Sequence, residues 1–199
     1  MYKGNNPSAL RSQQMIVLAL IDLMREYAYS EISITMLSTK AGVSRQTFYK
    51  MFASKEDVVG FVARTRCLDL ELSLIKFNSI SLEELAEHTF RFFRANIELI
   101  RQLTTNHLQG ILQDQAQRAL TDLLACFHCD DGILFDASNR AFIAGGLCAM
   151  LSLWAEQNDT FSPTVQAKRF SGMFTIKSFT RNHSIEESMQ MLLATHREG

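Results

Sequence analysis

Within six residues the chain sets out Arg45, Gln46, Thr47, Tyr49 and Lys50, side chains whose donors and acceptors match the edges and backbone of a DNA duplex. An arginine can give two hydrogen bonds to guanine, a glutamine can pair with adenine, and a threonine can meet a thymine methyl group or a phosphate oxygen. Tyr49 and Lys50 suit phosphate oxygens. Lys55 does so too, because it lies beside a predicted helix N-terminus that already favours an anion. Such groups read DNA only if the fold holds them outward together.

The residues around them are of the kind that would do so. A short helix opening after Ser33 is expected to end at Gly42, which lacks a Cβ and can take the left-handed backbone of a tight turn. Ser44 then caps a second helix, its hydroxyl accepting from the N–H of Gln46 or Thr47. Leu37, Ala41, Val43, Phe48 and Phe52 fall on the inward side, and small Ala41 lets two helices cross steeply, as in a helix-turn-helix. What stays outside at the start of the second helix is the polar set.

The run AGVSRQTFYKMFASKEDVV resembles the head of the tetracycline-repressor (TetR) family, with Gly42, Val43, Ser44, Thr47, Phe48, Tyr49, Phe52, Ser54, Lys55 and Glu56 at matching places. Val58-Val59 stands where the family more often has leucine. The resemblance is specific over about residues 10–65; beyond it only helix count, size and the segment from Ala141 to Gly146 with Trp154 are similar. It implies a three-helix DNA-binding head whose third helix enters the major groove. Thr35 would lie within reach of bases or phosphate, Arg45, Gln46 and Thr47 would read bases, and Tyr49 and Lys55 would hold phosphates. With Ser44 and Lys50 these form the expected interface. The resemblance also implies a homodimer built on the last two long helices, and a fourth helix that carries ligand binding to the heads.

Elsewhere the pattern is helical. Only two prolines and nine glycines interrupt 199 residues that are 47% hydrophobic and 21% charged, a composition that favours an all-helical soluble fold. Asn6-Pro7 and Ser162-Pro163 each place a capping residue before a proline at the first helical position. Ser54 with Asp57, Ser81 with Glu84, and Ser184 with Glu187 have capping-box spacing. Apolar spacing puts helices at 7–28, 34–40, 44–51, 55–77, 82–104, 107–128, 136–157, 163–180 and 185–196. The expectation is a head over residues 1–53 and a helical sensing and dimerising body over 54–199, joined by a continuous helix from near Lys55.

Charge adds little. Residues 1–60 carry seven Lys/Arg and five acids, against a net charge of −1 for the chain, so DNA binding would rest on pattern and not on bulk attraction. In the body, Phe90, Phe93, Phe127, Phe142 and Trp154, from a wider cluster that includes Phe92 and Phe135, are the candidates to line an apolar effector cavity. Phe170, Met173, Phe174, Ile185 and Met189 are the candidates for the dimer face. Gly145-Gly146 within a helix calls for a close crossing or a cavity wall to offset its cost. Cys126, His128 and Cys129 do not make a metal site by spacing, since His128 points away and no second pair follows; the cysteines are expected to be small apolar packing residues with free thiols, a redox pair of Cys126 and Cys129 is the competing idea, and no cofactor is expected. With no export signal and no long apolar span, a cytoplasmic protein is expected.

The sequence therefore points to a regulator that binds an inverted repeat in double-stranded DNA as a homodimer and responds to a small molecule, most simply a repressor. An activator or co-activator of the same fold is the alternative. A helical enzyme lacks any nucleophile–base–acid set or phosphate loop, and a ligand binder without DNA affinity would not need the outward polar set.

Overall fold

A computed structural model describes residues 6–128, 136–157, 162–174 and 178–198; Cys129 and Phe135 lie outside them. The described residues form ten α-helices and three short strands, so the all-helical expectation holds with a small sheet added. Two compact units divide within one helix, at Ala63/Arg64.

The first unit holds α1 (Pro7–Glu26), a 3-10 turn (Tyr29–Glu31), α2 (Ile34–Lys40), α3 (Arg45–Met51) and the first half of α4 (Lys55–Leu74). Asn6 caps α1 through its side chain, accepting from Ser8 N at 3.0 Å, with Pro7 at the first position. Ile16, Leu20, Leu23 and Met24 recur at helical spacing and are buried on one face of α1. Leu37, Phe48 and Phe52 are fully buried in the same unit. Phe52 meets Phe48 and Phe61 with ring centroids 6.2 and 5.7 Å apart.

The second unit continues α4 and adds β1 (Ser79–Ser81), α5 (Leu82–Arg94), α6 (Ile97–Thr105), α7 (Gln109–Ala125), β2 (Phe127–His128), α8 (Ala137–Glu156), α9 (Pro163–Ser171), β3 (Ser178–Arg181) and α10 (Ile185–Glu198). Its core joins α5 to α9 and α7 to α8, with Trp154 edge-on to Phe90 at 6.2 Å. The capping boxes of Ser81 and Ser184 close in both directions. At Ser54 the box is altered: Asp57 N donates to Ser54 Oγ, but the Asp57 carboxylate accepts from Ala53 N. Ser162 precedes Pro163 as expected yet makes no side-chain cap.

Three expected helices are corrected, the span 107–128 by ending at Ala125 before the strand Phe127–His128. The span 82–104 is two helices, broken at Ala95 and Asn96, where the Asn96 side-chain amide donates back to Phe92 O at 3.1 Å. The span 163–180 ends at Ser171, and Ser178–Arg181 is a strand instead. That strand lies between the other two, antiparallel to both, with Ile80 opposite Phe179 and Phe127 opposite Arg181. Phe179 and Ile80 are the buried members of an alternating pattern. Arg181 fastens the strand by giving hydrogen bonds from its side chain to Phe77 O, Asn78 Oδ1 and His183 O. No helix among the described residues is long and apolar enough to cross a membrane.

Candidate nucleic-acid interface

The turn between α2 and α3 is closed by backbone hydrogen bonds from Gly42 N to Thr39 O and from Val43 N to Ser38 O, at 3.1 and 3.0 Å. Gly42 sits at φ +66, in the left-handed region. A Cβ there would meet nothing within 4 Å, so glycine is required by the backbone and not by space. Val43 is half-buried, as its place beyond this helix end requires.

Ser44 Oγ accepts from Thr47 N at 3.0 Å and fixes the first turn of α3. The same oxygen lies 2.9 Å from Thr47 Oγ1. Thr47 is half-buried and shares its hydroxyl with the cap, whereas Arg45, Gln46 and Lys50 are exposed. Tyr49 is 52% exposed and leans edge-on against the buried Phe48 ring at 5.5 Å. Thr35, in the first turn of α2, is also exposed. Phe48 and Met51 anchor the inward side of α3. The structure thus gives α3 one apolar face and one bare polar face that can offer an arginine, a glutamine, a phenol and an ammonium group together.

Lys55 is placed differently from its expected outward role. Its ammonium donates to Tyr29 O at 2.6 Å and Ile32 O at 3.0 Å, and it stands 4.2 Å above the Tyr29 ring. Tyr29 is itself buried and donates its hydroxyl to Glu56 Oε1 at 2.9 Å. Burial first, then the adjoining Glu56 carboxylate, push the Tyr29 phenol up. The 3-10 turn is therefore tied to the N-terminus of α4 by two neighbouring side chains. Nothing in residue spacing announces this link; only the pairing of Tyr29 with residues 26 and 27 positions later reveals it.

In the second unit, a cavity of about 60 Å³ lies among α4, α5, α7 and α8. Its walls are almost wholly aliphatic, including Leu70, Leu85, Leu112, Leu147 and Leu151, with the buried thiols of Cys67 and Cys148. Burial pushes the Cys148 thiol up to about 12, and burial also raises Cys126, which makes both poor thiolates. Of the five aromatic residues expected to line a cavity, only Phe93 does. Phe90, Phe127 and Trp154 are buried in packing, and Phe142 is 66% exposed. The aliphatic wall was missed because a leucine stripe looks the same whether it closes a core or edges a void.

The expected dimer residues also separate. Phe170 is buried, Phe174 is half-buried, and Met173, Ile185 and Met189 are exposed. Phe142 and Leu153, eleven residues apart on α8, are exposed as well, and that spacing returns to the same helix face.

Residues 16–60 match the family described as bacterial regulatory proteins, tetR family. Over 58 residues the chain is 33% identical to the HTH-type dhaKLM operon transcriptional activator DhaS of Lactococcus lactis subsp. lactis (strain IL1403), covering 29% of this chain and 31% of that relative. The chain therefore spans under a third of that relative's length. Its fold is similar to the fatty acid degradation regulator FadR from Bacillus halodurans, with TM-score 0.58 at 20% identity over 85% of this chain and 95% of that one. The FadR structure from Bacillus subtilis, described in complex with stearoyl-CoA, has TM-score 0.57 at 15% identity over 80% and 96%.

Proposed function

From the tetR-family head that residues 16–60 give this chain, we propose that the protein is a transcription regulator that binds an inverted-repeat DNA site as a homodimer and is controlled by a small effector. The observation that carries this reading is the capped α3, with Arg45, Gln46, Tyr49 and Lys50 exposed on one side and Phe48 fully buried on the other. A helix presenting such a face in the major groove reads bases through Arg45 and Gln46 and holds phosphates through Tyr49, Lys50 and Thr35.

The effector would bind in the aliphatic cavity. At about 60 Å³, the space suits a small apolar molecule; an acyl chain as long as that of stearoyl-CoA would require the helices to part. Since α4 runs unbroken from the head through Leu74, and Leu70 and Leu74 line the cavity, an occupant would act on the helix that carries the head. To switch the regulator it must favour one arrangement of α4 over another by several kcal/mol. Repression is the simplest mode for such a switch. Activation is the second reading, favoured by the match of the head to a relative named as an activator.

Selection from random duplex DNA, followed by binding to the selected site, tests the proposal. Arg45→Ala is expected to weaken specific binding by about 1–3 kcal/mol and to relax choice at one base position. Equal weakening on every sequence would remove Arg45 from base reading. No binding to any duplex at low salt would overturn the DNA-binding role itself. Transcription in vitro, with and without the protein, separates repression from activation.

A further inference from the structure

The body contains a second polar centre that DNA reading does not use. Glu71 on α4, Asp122 on α7 and His196 on α10 each bring one ligand-type atom to a common place, all within 4.8 Å of one another. Glu71 is 1% exposed. One of its carboxylate oxygens meets His196 Nε2 at 3.0 Å, while the other, Oε1, is buried with no hydrogen-bond partner. A buried carboxylate oxygen left without a partner is costly, and a bound ion is one way native proteins satisfy it. Asp122 and His196 also edge a cleft of about 280 Å³, which gives an ion a route to the cluster.

We propose that Glu71, Asp122 and His196 bind a first-row divalent metal ion of the zinc or manganese type. Two carboxylates and one imidazole form a three-ligand set that leaves positions for water on the cleft side. The imidazole selects against magnesium and calcium, which prefer all-oxygen shells. The charged neighbours sharpen that choice. Arg64 and Arg118 line the same cleft and repel any cation, so the bond to the imidazole must offset them, which favours zinc over manganese. A donor–donor span of 4.8 Å exceeds what adjacent ligands at about 2.0–2.2 Å from a metal require, so the three side chains close slightly on the ion. The ion then joins α4, α7 and α10 at one point.

The proposal stands apart from DNA binding and is tested without it. The full chain, freed of metal with a chelator, is titrated calorimetrically with zinc and with manganese salts, and melted with and without each ion. The expected result is one ion per chain and a melting temperature that rises with metal concentration. Excess magnesium should not compete. His196→Gln, at the half-buried edge of the cleft, should lose at least about tenfold in affinity and most of the metal-dependent rise in melting. Glu71→Gln should do the same if it folds. No saturable uptake by the wild-type chain, or uptake unchanged in His196→Gln, overturns the assignment.

Discussion

Single residues carry the proposed interface, and their surroundings decide what each substitution would report. Arg45 and Gln46 are exposed near the N-terminal end of α3, so substitution there should change DNA binding and leave the fold intact. Lys55 belongs to another category. Its ammonium serves the Tyr29 and Ile32 carbonyls and the Tyr29 ring, and a part-buried carbonyl that loses a charged donor costs about 1–3 kcal/mol. Lys55→Ala is therefore expected to lower the melting temperature of the protein before any effect on DNA is considered. An unchanged melting curve would show that Lys55 is free to face phosphate in solution. The residues that Lys55 serves lie 23 and 26 positions earlier, which is why its sequence setting beside a helix N-terminus suggested only the phosphate role.

At the scale of the element, adjacent glycines on α8 have different neighbours. A Cβ on Gly145 would meet Gln113 Nε2 at 3.2 Å, the far end of an exposed side chain that can move. A Cβ on Gly146 would lie 3.1 Å from Cε2 of Phe170, a ring that is 2% exposed and packed on Phe174. Alanine gains up to about 1 kcal/mol over glycine in a helix interior. Gly145→Ala is expected to realise most of that in a urea melt, and Gly146→Ala clearly less or none. Equal gains would mean that Phe170 yields freely and that the crossing of α8 and α9 does not depend on glycine. The sequence marked the glycine pair as a close crossing or a cavity wall, but not which of the two or which glycine, because the partner ring is 24 residues further on.

For the whole molecule, assembly is the property that the exposed apolar side chains bear on. Phe142 and Leu153 on one face of α8 are 66% and 50% exposed, and Met173 just after α9 is 69% exposed. Large apolar side chains gathered on a surface mark an interaction site, and a two-fold dimer would bury the same patch of both copies. Leu153→Glu puts a charge in that patch without touching the monomer core. It should weaken self-association at least about a hundredfold, about 3 kcal/mol, as read by sedimentation at graded concentrations, and with it the affinity for an inverted repeat. A wild type that stays monomeric would overturn the proposed dimer, and a dimeric wild type that the variant leaves unchanged would move its face elsewhere, with Ile185 and Met189 on α10 next in line.

What the sequence by itself determined is what the chain decides within a few residues. The left-handed turn at Gly42, the Ser44 cap, the boxes at Ser81 and Ser184 and the inward set of Phe48 and Phe52 follow from hydrogen bonds and helical spacing no longer than about one turn. The tertiary structure alone decided where remote segments meet. It pairs Phe179 with Ile80 in a strand that the periodicity reads as helix, and lines the cavity with leucines and, of the expected phenylalanines, with Phe93 alone. It also brings residues 71, 122 and 196 to one point. Those outcomes depend on which faces pack together, and packing is a contest among distant partners that no local pattern records.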